Sequence, residues 1–140
     1  MILFPESLEP VEVDYLGEAR EIVNYLLEVH STSLELAHTA TRWLYQRHRN
    51  LFTREPHAVS RLVFSFLKSR GLSAHLLQGT VRQDGDAVPH AWLSIEGQQF
   101  DPAYAVAGPL PQEYQAGPVR LPGVNVYALD KILQDMKRSI

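Results

Sequence analysis

From His90 to Tyr104 the chain runs His-Ala-Trp-Leu-Ser-Ile-Glu-Gly-Gln-Gln-Phe-Asp-Pro-Ala-Tyr. The pattern predicts a strand, a tight turn at Glu96-Gly97 and a second strand ending at Asp101-Pro102. A short hairpin of this kind returns the chain antiparallel, so Asp101 comes back near the level of His90. Alternation puts His90, Trp92 and Ser94 on one face of the first strand, with Ala91, Leu93 and Ile95 on the other. An imidazole and a carboxylate on adjacent strand ends form the orienting half of a nucleophile–base–acid triad. The carboxylate fixes the imidazole tautomer and leaves the other ring nitrogen free to take a proton. A His and an Asp at this spacing are more often unrelated residues than a dyad, so the rest of the chain has to decide.

Upstream, Pro5 and Pro10 punctuate an extended start, and Val11 to Tyr15 alternates like a short strand. Gly17 to His30 carries helical spacing at Ile22, Tyr25, Leu26 and Val29. Thr32 with Glu35 is a capping-box pattern opening a second helix that reaches about Arg49, with Leu36, Ala40, Trp43 and Leu44 as its buried stripe. Arg42, Arg47, His48 and Arg49 lie toward its end, where the helix dipole favours cations without any need for an anionic ligand. Leu51 to Glu55 is expected to be a connector, and Pro56 suits the first turn of a third helix. That helix has the clearest pattern in the chain: Val59, Leu62, Val63, Phe66 and Leu67 form one apolar stripe, and Gly71 closes it.

Ala74 to Arg82 is expected to be a strand, joined through Gln83-Asp84-Gly85-Asp86 to the His90 strand. Beyond Asp101 the density of Pro and Gly predicts an ordered wrap over the sheet edge without regular elements, anchored by Tyr104 and Tyr114. A last helix begins near Tyr127 with Leu129, Ile132, Leu133 and Met136 as its stripe. Helices followed by a short antiparallel sheet give an α+β domain with a buried core helix packed on the sheet. At 140 residues one domain spanning 1–140 is expected.

A net charge of −3 gives no pull toward nucleic acid or an anionic membrane. No apolar run is long enough to span a bilayer. The start of the sequence has neither a basic leader nor an apolar run, and a cytoplasmic location follows by default. The absence of cysteine removes disulfides, thiolate metal sites and a thiol nucleophile together.

In order, the chain therefore has a core helix ending at Gly71-Leu72-Ser73-Ala74-His75, then His90-Ala91-Trp92, then Asp101-Pro102-Ala103-Tyr104. This resembles the transglutaminase-like superfamily of papain-type cysteine enzymes. The first segment is similar to that family's Gly-Ile-Pro-Ala-Arg-like turn, the second to its His-Ala-Trp motif and the third to its Asp-Pro-Thr-Tyr motif. The resemblance covers residues 34–105, leaving 106–140 as the wrap and final helix. It implies a transglutaminase-like, cysteine-proteinase-like fold with His90 as general base, Asp101 as orienting acid and Trp92 as the family's tryptophan. The departure is at the nucleophile. In that family a cysteine opens the core helix, where the helix end lowers the thiol pKa. Here the position falls on Pro56 or, with one residue of slack, His57.

Three readings follow. In the first, the chain keeps the fold without the chemistry and is a binding or regulatory module. A peptide, a protein segment or a small acyl ligand would then lie in a groove walled by Trp92 and Tyr104 near His57. In the second, Ser60 is a nucleophile served by His90, although a helical turn of about 5.4 Å separates it from the expected position. In the third, His57, His90 and Asp101 hold a divalent metal, since two imidazoles and a carboxylate suit iron(II) or zinc. The first reading requires no cofactor.

Overall fold

A computed structural model describes residues 32–140; the strand expected at 11–15 and the helix expected at 17–30 lie outside the described residues, as does part of the expected 1–140 domain. Residues 32–47 are helical (α1), and Thr32 is already inside the helix, so it is not the flanking cap that the sequence suggested. The helix breaks at His48. A second helix, α2, follows at Arg49–Arg54 and buries Phe52, where a connector was expected. Arg49 thus opens α2 instead of closing α1, and the dipole at a helix end does not account for it.

The core helix, α3, is Pro56–Ser69. Proline at its first position loses no hydrogen bond, because that N–H has no helical partner. Its far end is a Schellman turn. Gly71 takes φ +75°, its N–H donates to the Lys68 carbonyl at 3.0 Å, and the Leu72 N–H donates to the Leu67 carbonyl at 3.0 Å. The expected stripe of Val59, Leu62, Val63, Phe66 and Leu67 is buried, and each side chain contributes about 2 kcal/mol. It meets Ala37, Ala40 and Leu44 of α1 and Leu93 and Ile95 of the sheet in one apolar cluster.

The sheet is antiparallel and curled, with helices packed on it. Its strands are β1 (His75–Gln83), β2 (Asp86–Ile95), β3 (Gln98–Phe100) and β4 (Gln112–Ala116). In space they run β3-β2-β1-β4. Both hairpins turn as the sequence demanded: Asp84 and Gly85 have φ +50° and +85°, Glu96 and Gly97 +55° and +77°, the left-handed pair that matches strand twist. Pro89 is tolerated because β3 pairs only with Leu93 to Ile95. At Pro89, β2 therefore has no described neighbour on that side to miss an N–H. Two further helices are α4 (Pro102–Ala105) and α5 (Val126–Ser139), and Met136 of α5 is buried in the core. No described helix is long and apolar enough to cross a membrane.

The segment after Asp101 is more regular than expected, since it holds α4 and an edge strand. β4 docks on β1 with Gly79 opposite Ala116 and Thr80 opposite Gln115, and the register shifts before Arg82 meets Gln112. Glu113, at φ +53°, lies beside the shift, and its carboxylate accepts from Arg82 Nε at 2.7 Å. Gly79 makes the docking possible: a Cβ there would stand 2.0 Å from the Gln115 carbonyl oxygen. Gly79→Ala is therefore expected to force β4 off the edge and cost about 2 kcal/mol or more. Urea denaturation measures this; a loss within error of zero would show that β4 does not lie where described.

Candidate functional site

The β2–β3 pairing matches Leu93 with Phe100, which leaves Asp101 just past the end of β3, beside the outer half of β2. There it caps α4, its Oδ1 accepting the Ala103 N–H at 3.2 Å. His90 Nε2 lies 2.9 Å from Oδ2 and 3.1 Å from Oδ1 of the same carboxylate. A carboxylate accepts only, so the ring proton is assigned to Nε2 and the lone pair to Nδ1. Both residues are deeply buried, at 2% and 4% exposure. Among the described residues Nδ1 has no hydrogen-bond partner.

A third donor completes the carboxylate. The Tyr114 hydroxyl, carried by β4, donates to Asp101 Oδ2 at 2.6 Å. Burial, and then this bond to the carboxylate, push the Tyr114 phenol far above its usual range. Aromatic rings close the surroundings: Tyr104 stands edge-on to His90 with centroids 5.6 Å apart, and Trp92 meets Tyr114 edge-on at 5.0 Å. Burial raises the Tyr104 phenol as well, opposed by a hydrogen bond with Gln83 and reinforced by Asp101.

His57 occupies the second position of α3 and is buried at 3% exposure. Burial chiefly, then the charge of Arg61, hold its pKa below the usual imidazole range. Glu55 opposes this and His90 adds to it, so the two imidazoles are electrostatic neighbours. Among the described residues four buried polar side-chain atoms have no hydrogen-bond partner, Trp43 Nε1 on α1 and, on α3 and β2, His57 Nδ1, Ser60 Oγ and Trp92 Nε1.

Three sequence expectations are corrected by these placements. Trp92 is 1% exposed; it packs beneath the site and offers no face to a groove. Ser60 is wholly buried and its hydroxyl makes no hydrogen bond to His90, so no base–nucleophile contact is present. The metal set fails on geometry: among the described residues no three His, Asp or Glu side chains are placed to share an ion. Asp101 backs the His90 ring instead of converging with it on a common centre. Tyr104 does face open space, on a cavity of about 770 Å³ that also reaches α2 and the β1–β2 turn. The Tyr114 contact with Asp101 was not legible, although Tyr114 had been marked as an anchor of its segment.

No family model, curated protein or solved structure matches the chain.

Removing the third donor tests the carboxylate's environment. Tyr114→Phe is expected to cost about 2 kcal/mol in denaturant titrations, the range for a buried hydrogen bond to a charged group; a neutral effect would contradict that contact. His57 adds a pH signature. Its imidazole stays neutral when folded, whereas the unfolded chain takes up a proton near pH 6.5, so the unfolded state binds more protons as pH falls. Stability is therefore present above that pH and lost as pH drops through it. His57→Gln is expected to flatten this decline relative to the parent, as read from urea midpoints across the window. An unchanged slope would contradict the burial of a neutral ring.

Proposed function

We propose that this chain is a transglutaminase-like domain that has lost its nucleophile and serves as a non-catalytic binding or regulatory module. One observation supports the reading above others: a buried, carboxylate-backed imidazole lies within electrostatic reach of His57 in the first turn of the core helix, where the thiol was expected at Pro56 or, with one residue of slack, His57. Covalent acyl transfer needs an activated nucleophile. An imidazole held neutral by burial can hydrogen-bond a carbonyl or amide, but it provides no thiolate. The ligands that suit such a site are an extended peptide segment or a small acyl compound, and Tyr104 is the aromatic side chain open to them.

Restoring the sulfur tests the reading. In His57→Cys, iodoacetamide is expected to alkylate the new thiol at least tenfold faster than in His57→Cys with His90→Ala, because a base and a helix N-terminus stabilise the thiolate. Equal rates would remove the family geometry. The unaltered protein is expected to hydrolyse neither p-nitrophenyl acetate nor a glutamine-containing peptide above the His90→Ala background. Turnover that disappears in His90→Ala would overturn the non-catalytic assignment.

A further inference from the structure

The cavity beside Tyr104 has a chemistry of its own. Its volume, about 770 Å³, lies in the range that small-molecule sites occupy. One wall is aromatic: Phe52 meets Tyr45 edge-on with centroids 5.1 Å apart, and Tyr104 and the exposed Leu110 extend the apolar lining. Over this wall the Arg49 guanidinium lies stacked on the Tyr45 ring, 4.5 Å from its centroid. Stacking fixes the plane of the guanidinium and leaves its N–H edge available. Among the described residues Arg49 has no carboxylate partner. The other guanidinium of the lining, Arg82, is already engaged: its Nε donates to Glu113 at 2.7 Å and a terminal nitrogen donates to the Gly85 carbonyl at 2.8 Å. Asp84, on the β1–β2 turn, is the acidic residue of the lining.

We propose that this cavity binds a small organic anion, its carboxylate on Arg49 and its apolar body against Phe52, Tyr104 and Leu110. A preset guanidinium fork matches a carboxylate in two parallel hydrogen bonds, and the aromatic wall gives the body of the ligand area to bury. A neutral ligand of the same shape would leave the fork unused. Tyr104 is shared with the ligand surface proposed above, but the carboxylate contact on Arg49 involves none of His57, His90 or Asp101, so the two readings can fail separately.

The test uses 4-phenylbutyrate, with 4-phenylbutanol as its uncharged counterpart, titrated into the full chain and followed by amide chemical shifts. Saturable shifts are expected at α2, Tyr104 and the 108–112 segment for the acid, with the alcohol at least about tenfold weaker. Arg49→Gln, an exposed position, is expected to weaken the acid by about the same factor. Arg82→Gln is expected to change it by less than about twofold, and Asp84→Asn to leave it as tight or tighter. Acid and alcohol binding alike, acid binding that survives Arg49→Gln, an Arg82→Gln loss as large as that of Arg49→Gln, or no saturable shifts in the cavity would each overturn the proposal. His57→Gln, a position outside the cavity lining, serves as the separating control: it is expected to leave these shifts intact even if peptide binding at the His90 site is lost.

Discussion

Two carboxylate oxygens on Asp101 receive three donors: the His90 ring, the Tyr114 hydroxyl and the Ala103 amide. A carboxylate buried this deeply is costly unless such bonds replace its water, so the elements that supply them are constrained together. β2 brings the imidazole, the end of β3 brings the acid, α4 begins where the acid caps it, and β4 returns to deliver the phenol. Through this one group the last third of the sheet is tied to its centre. The close approach at Gly79 and the bulge beside Glu113 set where Tyr114 arrives.

His57, in the first turn of α3, feels the charge of His90. Helix N-termini favour negative charge, and a thiolate there beside an imidazole would be a nucleophile. The residue present is an imidazole that burial and Arg61 keep neutral, next to a second imidazole whose tautomer Asp101 sets. Such a pair can donate and accept hydrogen bonds but cannot form an acyl intermediate through sulfur.

Where local chemistry determines structure, the sequence was legible. The apolar stripe of α3, the Gly71 cap and the two left-handed turns each follow from residue type at a given position, and the hairpin from Glu96-Gly97 placed Asp101 on His90. What was hidden depends on distant partners. β4 carries no strand pattern, because its place comes from the gap above Gly79 and the Arg82–Glu113 pair rather than from alternation. The break at His48 follows from no proline or glycine, so α2 looked like a connector and Arg49 like the end of α1. Trp92 was expected as a groove wall because alternation says which face a side chain takes, not whether that face is covered. The Tyr114 bond joins residues thirteen apart across the sheet, beyond any local signal.

The tautomer of His90 tests this arrangement most directly. Two-bond proton–nitrogen spectra of the neutral ring are expected to show the proton on Nε2, with its resonance shifted far downfield by the carboxylate, and an unprotonated Nδ1. A ring protonated on Nδ1, or one exchanging between both forms, would mean that Asp101 does not hold the imidazole, and the site as described would not exist.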